Sequence, residues 1–251
     1  MQSYGFVGTG ELTAAIVEGL SSDVSDPPAV FLSPRNRDLA HDLAARFPNA
    51  EVCHDNQQVL DRADVVVIAV RPQIVQDVLA ELTFRPEHVV VSAVAATSLA
   101  QLHEWAAPAR RVVRSIPLPT ASRRASRTAV FPDDPDARAL FESVGDVVVP
   151  EDETALATFS AATATFSAHL AQLAAIANWM ADNGVSQADA YVAHVYGELG
   201  RTLADHDGTL GELARKHETP GGINEQFRTA SQDDDRIRRG LDDVLTRVKG
   251  Q

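Results

Sequence analysis

The sequence predicts an α/β fold in its first part and an all-helical fold in its second part. Short apolar runs alternate with amphipathic stretches over the first two-thirds of the chain, which is typical of a mostly parallel sheet with helices on both sides. Residues 65–70 form a continuous, mainly β-branched run, the pattern of a strand buried on both faces. The pattern changes near Pro150, and no further strand is predicted after it.

The α/β part is predicted to contain eight strands, at residues 4–8, 29–33, 51–54, 65–70, 88–93, 111–115, 128–131 and 146–149. The clearest helices between them cover residues 11–20 and 37–47. A chain of 251 residues has room for two domains of ordinary size. We therefore predict one domain over residues 1–150 and a second over residues 151–251.

The second part begins with an unusually apolar helix, predicted over residues 154–182. This stretch is rich in Ala and Thr and contains no Asp, Glu, Lys or Arg before Asp182. A helix that is apolar on nearly all sides must be buried. We expect it to pack against a second chain, in a homodimer or a larger assembly; the alternative is a central helix wrapped by its own neighbours. Further helices are predicted at residues 189–205, 210–217 and 223–248, the last as one helix or two.

Composition narrows the class of protein. The formal net charge of −13 argues against a nucleic-acid partner, because phosphate binding needs concentrated basic charge. No run of about 18 apolar residues is present to span a membrane, and the N-terminus lacks the features of a signal peptide. Cys53 is the single cysteine, and the histidines lack metal-ligand spacing, so we expect a cytoplasmic protein with no disulfide and no metal.

A glycine-rich turn lies between the first predicted strand and the first predicted helix. Gly8 permits a tight turn, and Gly10 allows a pyrophosphate to approach the backbone closely. The free N–H groups at the start of the helix then hold the phosphates. We predict a Rossmann-type dinucleotide-binding domain whose phosphate loop contains Gly8, Thr9, Gly10, Glu11 and Leu12.

The end of the second strand indicates which nicotinamide cofactor binds. NAD sites usually place Asp or Glu there to bind the ribose 2′-hydroxyl. Here no acid occurs before Asp38, whereas Ser33, Arg35 and Asn36 can hold a 2′-phosphate. We therefore favour NADP(H) over NAD(H).

Further short motifs are distributed along the whole chain. Ala14-Ala15-Ile16 follows the glycine loop, and the later segments read A-V-R-P-Q at residues 69–73, S-A-V-A-A at 92–96, R-S-I-P at 114–117 and T-P-G-G at 219–222. In these segments the chain resembles the pyrroline-5-carboxylate reductase family. The family patterns to which the later segments are similar are V-K-P-Q, S-x-x-A-G, R-x-M-P-N-T-P and S-P-G-G. The segment at 219–222 is the most specific of them.

The resemblance implies a two-domain reductase that transfers hydride to a cyclic imine carboxylate and forms proline. Its C-terminal helices would form an interlocked dimer, with the substrate between the nicotinamide and the segment at 219–222. The resemblance implies further cofactor contacts at Asn56, Ala69, Val70, Arg71, Pro72, Ala95 and Pro117. It places substrate near Thr219, Gly221, Gly222 and Asn224.

The chemistry of these residues suits a carboxylate-bearing imine. Gly221 and Gly222 are expected to expose backbone N–H groups before a helix, which would cradle a carboxylate. Asn224 could donate to that carboxylate or accept from the imine nitrogen. Alternatively, these residues form an ordinary turn.

Two further groups of side chains each allow a functional and a structural interpretation. Residues 105–132 contain no acid but six arginines, at positions 110, 111, 114, 123, 124 and 127. They could attract an anionic substrate, with Arg114 the best candidate, or form a solvated basic loop. His169, His194 and His217 could relay a proton or could be ordinary structural groups.

The chain also departs from the family patterns. Leu118 replaces Asn, Pro119-Thr120 reverses the next pair, residues 160–165 lack the glycines and proline of G-S-G-P-A-Y, and Ile223 and Asn224 replace a Thr pair. These differences leave open a relative that reduces another pyrroline or piperideine carboxylate and a non-catalytic NADP-binding regulatory protein. The opening of the chain also resembles reductases that pass hydride between a deazaflavin and NADP, but the helical half and the segment at 219–222 argue against that alternative.

Overall fold

The structure is a computed structural model that describes residues 2–249. Over this range the chain divides into two compact units. The first reaches Ala161 and takes in the chain from Val244 on, and the second spans Ala162–Asp243. The strands end at Val148, close to the predicted change at Pro150, but the contacts of the first unit continue into the following helix. A functional boundary at residue 150 stays a prediction.

The first unit contains one eight-stranded sheet in the described part of the chain. Its strands are β1 (Tyr4–Val7), β2 (Val30–Leu32), β3 (Ala50–Val52), β4 (Val65–Ile68), β5 (Val89–Ser92), β6 (Arg111–Ile116), β7 (Ser126–Phe131) and β8 (Gly145–Val148). The order across the sheet is β3-β2-β1-β4-β5-β6-β7-β8, and every pair is parallel except β6 with β7. The predicted α/β fold is confirmed, and each strand lies within two residues of its predicted bounds.

The centre of the sheet is apolar on both faces because its strands are almost entirely Val, Ile and aromatic residues. All residues of β1, β4 and β5 are buried. β1 lies between β2 and β4, so β2 and β3 are added on one side of β1 and the connection from β3 to β4 then crosses to its other side. In open α/β sheets, such a reversal opens a crevice at the carboxyl ends of the strands, where ligands bind.

Helices cover both faces of this sheet. They are α1 (Glu11–Ser21), α2 (Arg37–Arg46), α3 (Asn56–Arg62), α4 (Val75–Ala80), α5 (Leu99–Trp105) and α6 (Pro135–Glu142). One core layer includes Ile16, Leu43 and Phe141 from α1, α2 and α6. The other includes Leu60, Leu79 and Leu102 from α3, α4 and α5.

The remaining helices are α7 (Glu153–Thr163), α8 (Phe166–Asp182), α9 (Ala188–Ala204), α10 (Leu210–Lys216), α11 (Ile223–Ser231) and α12 (Asp234–Val248). The prediction of one helix over residues 154–182 is wrong, since the chain breaks between α7 and α8. The Thr165 amide and hydroxyl both donate to the Ala162 carbonyl, at 3.2 and 2.7 Å, so a tight turn replaces the helical bonding there. No helix in residues 2–249 is both long and apolar enough to cross a membrane.

Helix α8 is largely exposed in the single chain, although it is apolar on nearly all sides. Ala177 is its buried residue, and it packs with Ala188 and Val192 of α9 in a small cluster. Leu170 and Trp179 are 67% and 66% exposed. The alternative of a central helix wrapped by its own neighbours is therefore excluded for this unit as described.

Candidate functional site

The glycine loop after β1 has the geometry that a phosphate-binding turn requires. Gly8 has a φ of +104°, and a Cβ there would lie 2.4 Å from the Ala69 carbonyl oxygen, so no other residue fits. Gly10 is the N-cap of α1 in an extended conformation, and a Cβ there would meet nothing within 4 Å. The two glycines thus differ: Gly8 is needed by the fold itself, whereas Gly10 borders open space.

Side chains from α1 and β2 hold this loop in place. The Thr13 hydroxyl donates to the Gly8 carbonyl at 2.6 Å. The Gly8 N–H donates to the Ser33 hydroxyl at 2.9 Å, and the Thr9 hydroxyl donates to the Ser33 carbonyl at 2.8 Å. These contacts fix the loop before any ligand arrives, which reduces the entropy that binding would cost.

Ser33 has a different role from the one we expected. Its side chain was predicted to hold a 2′-phosphate, but the residue is fully buried and its hydroxyl accepts from the Gly8 amide. The buried Ser33 hydroxyl thus positions the loop, and its contact with a 2′-phosphate stays a prediction. Arg35 and Asn36, two and three residues further on, are exposed.

A cleft of about 460 Å³ lies at the carboxyl ends of β1 and β4. Its lining brings together most of the predicted cofactor residues, namely Gly8, Thr9, Gly10, Arg35, Asn36, Ala69, Val70 and Arg71. Ile74 also lines it and was not predicted. Ile74 is the last residue of a short 3-10 helix, Pro72–Ile74, which is too short to show a periodic pattern in the sequence. The cleft lies at the strand-order reversal, where this fold class binds its ligands.

The other predicted cofactor residues are dispersed around the same edge. Glu11 is exposed in the first turn of α1, and Leu12 packs against the core. Asn56 opens α3 and is half-buried, Pro72 and Ala95 are exposed, and Pro117 is buried. These six described residues lie outside the lining of the cleft. Their contact with a cofactor stays a prediction.

Most of the six arginines at residues 110–127 have structural partners. Arg111 bonds both carboxylate oxygens of Asp134 at 2.8 Å and lies 2.6 Å from Asp136. Arg124 donates to the carbonyls of Gly19 and Ser22 at the end of α1, where a cation satisfies unpaired helix carbonyls. Arg110, Arg123 and Arg127 are exposed, the last 3.8 Å from Asp146. Arg114 is buried against Glu153 at 2.8 Å.

The loop at residues 219–222 lies in the second unit and opens α11. Gly221 has a φ of +72°, and Gly222 is the N-cap of α11. The Gly221 N–H donates to the Glu225 carboxylate at 2.6 Å, and the Gly222 N–H donates to the Thr219 carbonyl at 2.7 Å. In this structure the chain itself supplies acceptors for both N–H groups, and a substrate carboxylate at this loop stays a prediction.

Three of the four candidate proton-handling residues bond to nearby backbone carbonyls. The Asn224 amide donates to the His217 carbonyl at 2.6 Å, and the His217 ring contacts the Leu213 carbonyl at 3.0 Å. The His169 ring contacts the Thr165 carbonyl at 2.8 Å, and His194 is exposed on α9. Within residues 2–249, no three His, Cys, Asp or Glu side chains converge as a metal site would require.

The amino-acid sequence is similar to a family of NADP oxidoreductases and to individual pyrroline-5-carboxylate reductases. Residues 3–96 match a family model described as "NADP oxidoreductase coenzyme F420-dependent". A pyrroline-5-carboxylate reductase 3 of Macaca fascicularis is 36% identical over 117 residues, which is 45% of this chain and 42% of that protein. The pyrroline-5-carboxylate reductase of Synechocystis is 29% identical over 72% of this chain and 69% of its own length. The match to the mammalian relatives thus spans less than half of their length.

Solved structures extend the comparison to the complete fold. The 1-pyrroline-5-carboxylate reductase of Streptococcus pyogenes aligns over 100% of this chain and 99% of its own, with a TM-score of 0.82 and 20% identity. The NADP-bound pyrroline carboxylate reductase of Plasmodium falciparum aligns over 99% of this chain and 97% of its own, with a TM-score of 0.78 and 15% identity. The chain is similar to the pyrroline-5-carboxylate reductases in both sequence and fold. The resemblance inferred from the motifs is confirmed.

Proposed function

We propose that this protein is an NADP(H)-dependent reductase of a small cyclic imine carboxylate, with pyrroline-5-carboxylate as the default substrate. One observation carries the proposal: the cleft at the strand-order reversal joins the glycine loop to Arg35, Asn36 and Arg71. Gly10 has room for a phosphate where any larger residue would intrude. The named relatives supply the reaction class, since they are reductases of pyrroline-5-carboxylate.

The residues of the cleft fit NADPH, which would supply a hydride to the imine carbon when bound. Amides at the start of α1 would hold the pyrophosphate, helped by the positive end of the helix dipole. Arg35 would take the 2′-phosphate with a forked pair of N–H donors, with Asn36 and Arg71 beside it. No carboxylate stands at the end of β2 to select a free ribose hydroxyl, so NADP(H) is favoured over NAD(H).

Reduction of a C=N bond takes one hydride at carbon and one proton at nitrogen. Asn224 is our candidate to orient the imine nitrogen, because its amide nitrogen is held by the His217 carbonyl and the side-chain oxygen is thereby positioned as an acceptor. A protonated imine would bring its own proton and would need an acceptor of this kind rather than an acid.

The apolar surface of the second unit supports a homodimer. Phe166, Leu170, Trp179, Tyr191 and Val195 are between 41% and 67% exposed. Large exposed apolar surfaces of this kind mark protein interfaces. We propose that a second copy of the chain covers the surface, which we call the α8–α9 surface.

The proposed function is tested by the loss of NADPH absorbance with pyrroline-5-carboxylate, piperideine-2-carboxylate and piperideine-6-carboxylate. Saturable turnover of pyrroline-5-carboxylate supports the default substrate. Turnover of a piperideine carboxylate alone would support the same reaction class with a different substrate. If the protein binds NADPH but reduces none of the three imines, the proposal is contradicted.

One other activity has a specific observation behind it. The family model matched at residues 3–96 is described as F420-dependent, which agrees with the alternative of a reductase that links a deazaflavin to NADP. The match covers the dinucleotide-binding part and does not reach the loop at 219–222. Reduction of NADP by a reduced deazaflavin, without turnover of imines, would favour this second activity.

A further inference from the structure

A second cavity in the first unit contains an almost fully buried arginine. The cavity has a volume of about 470 Å³ and is lined by Ala96, Ser98, Gln101, Arg114, Glu153, Thr154, Ala157, Val248 and Lys249. The Arg114 side chain is 7% exposed. It lies on β6 opposite Ser92 of β5, near the carboxyl ends of the parallel strands. Such a position is one from which a fold of this class presents side chains to ligands.

The charges around this cavity favour an anion. Arg114 and Lys249 contribute two cations to the lining, and Glu153 contributes one carboxylate. The chain as a whole has a net charge of −13, so a locally positive cavity is contrary to its average. Ser98, Gln101 and Thr154 add hydroxyl and carboxamide groups that can bond to an anion.

Glu153 accepts only one of the hydrogen bonds that the Arg114 guanidinium can donate. Its Oε1 accepts from Arg114 Nη1 and from the Leu99 N–H, both at 2.8 Å. The bond to Glu153 uses one of the five N–H donors of a guanidinium, which is a group suited to forked binding of carboxylates. Because the Leu99 amide holds the same oxygen, Glu153 is fixed at one side of Arg114 and partly neutralises it.

The loop predicted to cradle the substrate carboxylate is already satisfied by Glu225 and by the Thr219 carbonyl. The cavity also reaches Ala96, next to Ala95, where the resemblance implies a contact with the cofactor. We propose that Arg114 anchors the carboxylate of the substrate in this cavity, and that Glu153 weakens this anchor by competing for the same guanidinium. The identity of the ligand as a cyclic imine carboxylate rests on the proposed function.

Two substitutions in one ion pair test the proposal because an anchor predicts opposite effects for them. Arg114→Gln should raise KM for pyrroline-5-carboxylate by about tenfold to a hundredfold, the loss expected for a charged hydrogen bond, with the NADPH Kd unchanged. Glu153→Gln should lower KM several-fold, since Gln still accepts from the Leu99 N–H but no longer neutralises Arg114. Arg114→Lys should fall between wild type and Arg114→Gln. Arg111→Gln, on the same strand but paired with Asp134, is the matched control and should leave KM unchanged.

Equal damage from Arg114→Gln and Glu153→Gln would overturn the proposal, because a purely structural ion pair suffers from the loss of either partner. Calorimetric titration with L-proline in the presence of NADP⁺ separates this outcome from failure of the proposed function. If no imine is reduced but L-proline binds more weakly to Arg114→Gln and more tightly to Glu153→Gln, the anchor stands and the proposed reaction does not. If imines are reduced and the affinities do not follow that order, the reaction stands and the anchor fails. Absence of both turnover and L-proline binding would contradict both.

Discussion

His88 is a buried histidine immediately before β5, with hydrogen bonds at both ring nitrogens. The residue is 1% exposed, Nδ1 accepts from the Arg85 N–H at 3.0 Å, and Nε2 lies 3.0 Å from the Leu60 carbonyl. Nε2 must therefore carry the proton of a neutral ring. Burial, together with the positive charge of Arg85, lowers the pKa of His88, against the weaker opposing influence of the Leu60 carbonyl and of the Glu87 and Asp61 carboxylates.

This depressed pKa predicts a loss of stability in mild acid. The unfolded chain binds a proton at its ordinary histidine pKa of about 6.5, whereas the folded chain resists protonation until a lower pH. The free energy of unfolding should therefore fall as the pH drops below about 6.5. His88→Gln should be less stable at pH 7 by about 1–3 kcal/mol, yet show a shallower slope between about pH 5 and 6.5. Urea unfolding midpoints measure both, and an equal slope in the variant would refute the assignment.

Residue roles were less predictable than residue positions. Gly8, Gly10, Arg35 and Arg71 were assigned from motifs and do line one cleft. Ser33, Gly221 and Gly222 were assigned from the same motifs, but neighbouring groups already satisfy their hydrogen bonds. No sequence pattern reports that a Glu four residues after Gly221 will reach back to its amide. Hydrogen-bond competition of this kind is decided by geometry that only the folded chain provides.

The connection between β2 and α2 is the element that would select between NADPH and NADH. Arg35 lies in it, exposed and on the lining of the cleft, while Arg37 begins α2 outside that lining. Arg35→Gln should weaken NADPH binding by about tenfold to a hundredfold, because a charged hydrogen bond to the 2′-phosphate is lost. NADH has no such phosphate and should bind as before.

Arg37→Gln is the matched control for this change in charge. Fluorescence titration with both cofactors gives the four affinities needed. An equal loss for NADPH and NADH in Arg35→Gln, or a loss as large in Arg37→Gln, would show that Arg35 does not read the 2′-phosphate.

Element bounds were predictable where hydrophobic periodicity was strong. The strands were found because runs such as Val65–Ile68 are buried on both faces and therefore uniformly apolar. Helices α3, α4 and α5, of seven, six and seven residues, were not predicted, since about two turns show too little periodicity. The break between α7 and α8 was missed because Thr165 is apolar enough to continue the pattern while its hydroxyl bonds the backbone.

At the scale of the whole molecule, the α8–α9 surface requires a partner to be buried. We expect size-exclusion chromatography with light scattering to give twice the 27.0 kDa mass of the chain. Leu170→Glu and Trp179→Glu each place a charge on this surface and should produce monomers, because burying an unpaired charge is strongly unfavourable. Val149→Glu, at an exposed apolar residue of the first unit, should leave the mass unchanged. A monomeric wild-type protein at micromolar concentration would contradict the dimer.

The two units differ in how much the sequence revealed. The sheet unit was predictable as a whole, because its fold is fixed by apolar strands and by a glycine loop with few alternative uses. The helical unit was predictable only as helical, since its apolar residues show what must be covered but not what covers them. Its departures from the family patterns, such as Ile223 at 82% exposure, have no explanation within the described chain.

The central claim, that the glycine-loop cleft binds NADPH, is tested most directly by NADPH affinity in Gly10→Ala. An added methyl meets no atom within 4 Å and the backbone is extended, so the variant should fold with unchanged stability. The methyl would occupy the space that the pyrophosphate needs, and NADPH binding should weaken at least about tenfold, or about 1.4 kcal/mol. Gly197→Ala, which also meets no neighbouring atom, is the control. A stable Gly10→Ala protein that binds NADPH as tightly as wild type would contradict the account.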